Sequence, residues 1–229
     1  MRAQAILFDK DGTLFDFHKT WSECFRGIIL GNAGGDADLA GRVAQEFGYD
    51  LDTGAFDPSS IAIAGTALQA AEKVLPHFPH DTAEALADHF DAAGKDVEPV
   101  QVVPLGQFLG DLKARGLGLG VATNDSEAPT HAQLDGLGLI PYFDFIAGSD
   151  SGFGAKPDPG MCTGFADKLG IAPGQVAMIG DSLHDLHAGR AAGMQCVAVL
   201  TGVATEQDLA HAADVVLPDI GHLPKWLAG

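Results

Sequence analysis

Two carboxylates one residue apart, Asp9 and Asp11, close a continuous apolar run, Ala5-Ile6-Leu7-Phe8, and Gly12 and Thr13 follow at once. An apolar run of this kind reads as a buried strand. Alternate strand residues face opposite sides, but where the strand gives way to a Gly-containing loop the backbone can curl, and both carboxylates can then converge on one point. Such a point suits a hard cation, or a nucleophile beside an acid. On its own an Asp-Gly pair is ordinary turn chemistry. Its distant company argues for more. Thr123-Asn124-Asp125, Lys156-Pro157 and Gly180-Asp181-Ser182-Leu183-His184-Asp185 follow in that order, the first and last directly after apolar, strand-like runs. Taken singly, Thr123 is an ordinary helix cap, Lys156 a solvated lysine and Gly180-Asp181-Ser182 a strand-to-helix turn.

The elements that must position these groups alternate. From Pro104 the pattern predicts a helix to Arg115 stopped by Gly116, a strand over Leu117–Ala122, a helix over Ala128–Leu137 and a strand over Phe143–Ala147. After a Gly-rich loop, Gly148–Ala155, come a helix over Gly160–Leu169, a strand over Val176–Ile179, a helix ending near Ala192, a strand over Cys196–Leu200 and an edge strand over Asp214–Leu217. Such alternation implies a parallel sheet covered on both faces, which binds ligands beyond the carboxyl ends of its strands. Asp9, Thr123 and Asp181 each stand at such an end.

Between Trp21 and Asp91 the rhythm is helical instead, with apolar spacing that predicts helices over Trp21–Leu30, Asp38–Phe47, Ser60–Leu75 and Thr82–Asp91. Asp81 is placed to cap the last of these, with Glu84 completing a capping box and Gly94 just past the end. The expected architecture is an α/β, Rossmann-like parallel-sheet core formed by residues 1–16 and 101–229, with a smaller α-helical cap domain over residues 17–100. Hinges are expected near Asp16–His18 and Val100–Pro104.

With its four motifs in this order, the chain resembles the haloacid dehalogenase-like hydrolase superfamily, whose first motif reads Asp-x-Asp-Gly-Thr. The position of the helical insertion is similar to that of the phosphoglycolate phosphatase and β-phosphoglucomutase-like group, and the resemblance covers nearly the whole chain. It implies that Asp9 attacks phosphorus to form an aspartyl-phosphate, and that Asp11 protonates the leaving alcohol and later activates water. It further implies that Thr123 and Asn124 contact the phosphoryl group, that Lys156 supplies positive charge, and that Asp9, Asp11 (through its carbonyl) and Asp181 hold Mg²⁺ with Asp185 behind them. The activity implied is a Mg²⁺-dependent phosphatase acting on a small phosphate monoester, phosphoglycolate-like or a sugar phosphate. A phosphomutase of the β-phosphoglucomutase type would keep the same core, whereas a non-catalytic binder of a phosphorylated metabolite would be expected to lack some of these groups. The second carboxylate and Asp181 count against a dehalogenase, and a phosphonate hydrolase would need an imine-forming lysine for which Lys19 and Lys73 are only nominal candidates.

Composition narrows the partners. With 229 residues, 46% of them hydrophobic, the chain can build a sizeable interior, and its formal net charge of −18 counts against a general attraction to nucleic acid or anionic lipid. The expected partner is a small phosphorylated metabolite held by local cations or a metal, with monomer and homodimer both open. Three cysteines, Cys24, Cys162 and Cys196, without CxxC spacing, argue against a disulfide framework and for a reducing compartment. No apolar run approaches the ~20 residues of a membrane helix, and a cytoplasmic protein is expected. His184 and His187, three residues apart without a third partner, read as solvated helix histidines. Gly116, Gly118 and Gly120 lie before and within a strand, so they read as close packing rather than a dinucleotide loop. Lys19, Arg26, Arg42, Lys73 and Lys95 are the positive residues of the helical insertion. Any one of them could meet a substrate carboxylate, although each reads individually as surface.

Overall fold

The computed structural model describes residues 2–229. Strand β1 (Ala5–Phe8) is buried along its whole length. The helical insertion follows, with α1 (Phe17–Ala33), α2 (Ala37–Phe47), α3 (Ile61–Ala64), α4 (Ala67–Val74) and α5 (Ala83–Lys95). The chain then alternates through α6 (Leu105–Ala114), β2 (Gly118–Ala122), α7 (Glu127–Gly136), β3 (Phe145–Ala147), α8 (Gly160–Leu169), β4 (Val176–Gly180), α9 (Leu183–Ala191) and β5 (Gln195–Val199). It ends with α10 (Glu206–Leu209), β6 (Val215–Leu217) and α11 (Leu223–Ala228).

The six strands form one parallel sheet in the order β3-β2-β1-β4-β5-β6, so the Rossmann-like α/β reading holds. Connections leave β1 toward opposite edges of the sheet, which opens a crevice beyond the carboxyl ends of β1 and β4. Register brings the motifs level: Phe8 pairs with Val121 on one side and with Ile179 on the other. Alternate β1 residues feed the two faces, Ile6 and Phe8 packing with Leu105, Leu109 and Val121, Ala5 and Leu7 with Met161, Phe165 and Met178. Each such large apolar side chain contributes about 1.5–3 kcal/mol on full burial. Gly118 and Gly120 do serve close packing. A Cβ at Gly120 would lie 2.7 Å from the Phe165 ring and one at Gly118 2.5 Å from Leu169, so both glycines let α8 approach β2.

The helices of the insertion bury a separate cluster that includes Phe17, Trp21, Ile29, Phe47, Tyr49, Phe56, Val74 and Leu86. Phe25 is its aromatic hub, edge-on to Phe47 at 5.4 Å and to Phe56 at 5.2 Å. Three details differ from the sequence expectation. The helix predicted over Ser60–Leu75 is broken: Gly65 is extended, its φ of −78° paired with a ψ of 166°, and Thr66 opens α4 with a capping box completed by Gln69. A hydroxyl that can cap a new helix competes with continuing the old one. At α5 the cap is Thr82, whose hydroxyl accepts from the Ala85 N–H, rather than Asp81. Gly94 lies inside that helix rather than beyond it, where a Cβ would stand 3.3 Å from the Trp21 ring and 3.5 Å from Pro129.

The two chain crossings between sheet and insertion run side by side. The Asp16 N–H donates to the Val100 carbonyl at 2.8 Å, and the Val100 N–H donates to the Thr20 hydroxyl at 3.0 Å. Among the described residues, no helix is long and apolar enough to cross a membrane.

Candidate active site

Three strand tips deliver the site. Asp9 follows β1, and its N–H is tied to the Ile179 carbonyl at 2.8 Å, which keeps the bend after Phe8 against β4. The Asp9 side chain accepts from the Lys156 ammonium at 2.5 Å, and the same ammonium donates to Asp185 at 2.6 Å and to the Ala122 carbonyl at 2.8 Å. Lys156 is itself held by Asn124: the Asn124 Oδ1 accepts from the Lys156 N–H at 2.7 Å, and the Asn124 amide donates to the Lys156 carbonyl at 2.9 Å and to Ala64 of α3 at 2.7 Å. Expected among the phosphate-binding groups, the Asn124 side chain is spent on backbone, and it joins the Lys156 loop to the helical insertion.

Asp181 follows β4 in a cradle of glycines. A Cβ at either Gly12 or Gly202 would overlap its carboxylate, and the Thr201 hydroxyl holds the Gly12 carbonyl at 2.6 Å. Gly12 also has a φ of +85°, a second reason for glycine there. Ser182 caps α9 with Asp185 as its partner: Asp185 Oδ2 accepts from the Ser182 N–H at 3.1 Å and from its hydroxyl at 2.6 Å. Both Asp185 oxygens are therefore engaged, one by Ser182 and one by Lys156. Thr123 is buried at the tip of β2, its N–H bonded to Ala147 and its hydroxyl accepting from the Asp125 N–H at 3.1 Å.

The electrostatics are those of a charged cluster inside a protein. Burial pushes the Asp9 carboxyl up to about 7, with Lys156 opposing and Asp185 adding to the rise. Asp181 is likewise raised well above the usual carboxylate range, by burial first and then by the charges of Asp9 and Asp185. Burial works against the Lys156 ammonium, but Asp185 and Asp9 outweigh it and hold it above its ordinary value. Oxygen atoms of Asp9, Asp181 and Asp185 lie within 4.8 Å of one another. An all-carboxylate, buried donor set with more negative charge than Lys156 offsets is chemically suited to a hard divalent cation. Neither His184 nor His187 belongs to a metal-competent cluster among the described residues.

A model of the haloacid dehalogenase-like hydrolase family matches residues 3–193. The chain belongs to that family. A phosphoglycolate phosphatase of Rhodospirillum rubrum is 31% identical over 231 residues, covering 98% of this chain and 90% of the relative. The fold is shared with the crystal structure of a predicted phosphoglycolate phosphatase from Haemophilus somnus, at a TM-score of 0.72 and 20% identity over 99% of each chain. It is shared also with a β-phosphoglucomutase from Clostridium difficile, at a TM-score of 0.65 and 18% identity over 99% of this chain and 96% of that one.

This haloacid dehalogenase-like hydrolase carries a second charged centre beside the first, one that the sequence reading passed over. Lys10, between the two motif carboxylates, has a fully buried side chain whose ammonium lies 2.6 Å from Asp11 and 3.1 Å from Asp125. It donates to the Gln133 Oε1 at 2.7 Å, and the Gln133 amide donates to the Gly94 carbonyl of α5 at 2.9 Å. The Trp21 indole N–H of α1 donates to Asp11 at 2.7 Å, and the Lys10 ammonium sits 5.3 Å from the Trp21 ring centroid. The Asp11 side chain thus stands with Lys10 and Trp21, outside the three-carboxylate cluster. Burial raises the Asp125 carboxyl, with Lys10 opposing. The available signal was a lysine following a run of four apolar residues at a strand tip, a position where a cation stays only if paired.

Above both centres lies a cleft, partly open to solvent, with the strand tips as its floor and the helical insertion as its wall. The three thiols are free, and burial pushes Cys24 and Cys196 up to about 11 and Cys162 to about 12, so none is a nucleophile at neutral pH.

Proposed function

We propose that this hydrolase is a Mg²⁺-dependent phosphomonoesterase acting on a small metabolite through an aspartyl-phosphate on Asp9. The observation that carries the reading is the Lys156 ammonium held between Asp9 and Asp185 at the crevice of the sheet. It fixes one Asp9 oxygen, and among the described residues no donor takes the other. That second oxygen attacks phosphorus as the bond to the leaving oxygen breaks. Asp11 gives its proton to the leaving alkoxide, then takes a proton from the water that attacks the aspartyl-phosphate, so phosphate departs and Asp9 is restored. Trp21 and Lys10 hold Asp11 for both transfers. The Thr123 hydroxyl orients the phosphoryl oxygens, Lys156 neutralises their charge, and Asn124 acts by positioning Lys156.

Asp9, Asp181 and the Asp11 carbonyl would hold Mg²⁺, which supplies charge neutralisation for the transferring group when bound. In this reading residues 1–16 and 101–229 are the catalytic core and residues 17–100 a cap that covers the substrate and excludes water, with hinges at the paired crossings near Asp16 and Val100. The free, high-pKa thiols are consistent with a cytoplasmic setting.

The test is phosphate release by the purified protein, with Mg²⁺ and with a chelator, from p-nitrophenyl phosphate and a panel of metabolite monoesters. Metal-dependent release is expected. Its absence from every ester, with the protein folded, would overturn the phosphatase reading and send the search to mutase activity.

A further inference from the structure

We infer that the alcohol esterified to the phosphate is uncharged and apolar, of the aryl or arylalkyl class, rather than a carboxylic acid such as glycolate or a polyhydroxylated sugar. The inference rests on the phosphatase reading above and concerns the wall of the same cleft. Facing the strand tips, the insertion presents Phe17, Trp21, Phe25, Ile28, Ile61 and Ile63.

No cation of the insertion stands with them. Lys19 is turned outward onto Asp16 with its side chain 68% exposed, Arg26 faces Glu23 at 3.9 Å, and Arg42, Lys73 and Lys95 are exposed on other surfaces. None of the five lines the cleft. On the core side, Lys156 is the lining ammonium and is already shared between two carboxylates, while Lys10 lies beneath the surface between two more. His184 also lines the cleft, but burial disfavours its protonation, so a leaving group bearing a carboxylate would meet no fixed cation and would lie beside Asp91 and Asp125, which line the cleft too.

Hydroxyls fare little better. The polar side chains of the wall are Thr66, whose hydroxyl already caps α4, and the acid Asp91, while the Ala64 carbonyl is taken by Asn124. A sugar would bury several donors and acceptors opposite carbon. An aromatic ring asks for none of this and can meet Trp21, Phe25 and Phe17 in edge or offset contact.

The experiment uses esters matched in leaving-group reactivity. Benzyl phosphate and 4-carboxybenzyl phosphate differ in a remote charge, and kcat/KM with Mg²⁺ should favour the former by about tenfold or more, the scale on which an apolar pocket discriminates. Benzyl phosphate should likewise exceed phosphoglycolate and glucose 6-phosphate. Equal values, or a preference for the charged or sugar esters, would overturn the inference. Binding of benzylphosphonate against phosphonoacetate, read by calorimetry with Mg²⁺, applies the same test without turnover. Should no ester release phosphate, the phosphatase reading falls while tighter benzylphosphonate binding still upholds the wall's preference, and equal or weaker binding overturns it. Ala67→Lys, at a half-buried wall position of α4, should lower the benzyl to 4-carboxybenzyl ratio by about tenfold if a missing cation sets the preference. An unchanged ratio in a folded variant would overturn that argument.

Discussion

The strand tips and the helical wall opposite them are built on contrary principles. At the tips, charge is packed as densely as burial allows: Lys156 between Asp9 and Asp185, Lys10 between Asp11 and Asp125, and Asp181 in its glycine cradle. Across the cleft, aromatic and branched aliphatic side chains present carbon, continuous with the insertion's own core around Phe25. In the proposed reading one surface is preorganised for a reaction in which charge moves, the other for recognising something without charge. The contrast implies that the two surfaces fail differently when altered, the first in turnover and stability, the second in the choice of substrate.

The largest effect should come from Asp9→Asn. Replacing the attacking oxygen with an amide is expected to lower kcat by at least about 10³-fold, on the scale of nucleophile removal in other enzymes. Stability should hold or rise, because a carboxylate pushed up to about 7 by burial is removed. Steady-state kinetics and a thermal melt check both halves, and near-normal turnover would break the assignment. Next is Lys156→Met, which leaves Asp9 and Asp185 buried without their cation. Loss of one partner from a buried pair costs about 3–5 kcal/mol, read as a lowered denaturant midpoint together with lost activity. A variant as stable as the parent would show that the tip is more hydrated than its burial indicates.

The two surfaces were also unequally legible in the sequence. Strand tips announce themselves because an apolar run of four or five residues ending in Asp or Thr leaves little freedom for where those groups go. A parallel sheet with Asp9, Thr123 and Asp181 at its strand ends follows from that pattern, whereas the strand order β3-β2-β1-β4-β5-β6 emerges only from the fold. Lys10 was hidden for the opposite reason: its partners Asp125 and Gln133 are 115 and 123 residues away in the chain, and no local pattern ties them to it. Helix boundaries in the insertion slipped where hydroxyls decided them, Thr66 splitting one predicted helix and Thr82 displacing Asp81 as a cap. The wall's apolar character was present in the composition, but which aromatic residues face the cleft depends on how α1, α3 and α4 pack.

Metal addition gives a smaller and pH-dependent effect whose sign is fixed by the carboxylates. Asp9 titrates in the folded protein near 7 and in the unfolded chain near its ordinary value of 3.8, so between those pH values the folded state binds more protons. Its contribution to the metal-free protein is present in full below the lower value and is lost as pH rises through the higher; Asp181, also raised, acts in the same direction. A divalent cation bound by these groups competes with protons. Mg²⁺ should therefore raise the melting temperature more at pH 8 than at pH 5, and Asp9→Asn should shrink the difference. Equal shifts at both pH values would argue against carboxylate ligation at this site.

The smallest predicted effect tests the seam between the two surfaces. Trp21 belongs to the apolar wall, yet its indole N–H donates to Asp11 at 2.7 Å. Trp21→Phe keeps an aromatic face and deletes that donor. Because Asp11 retains the Lys10 ammonium at 2.6 Å, the fold should lose only the net worth of a hydrogen bond to a charged group together with some ring area, about 1.5–3 kcal/mol. If the indole positions Asp11 for proton transfer, kcat should fall while KM stays near the parent value, and the loss should be smaller for p-nitrophenyl phosphate, whose leaving group needs little protonation, than for benzyl phosphate, whose alkoxide needs a proton. A loss confined to KM would assign Trp21 to the wall alone. A leaving-group-dependent loss in kcat would make it the residue through which the insertion reports its position to the acid.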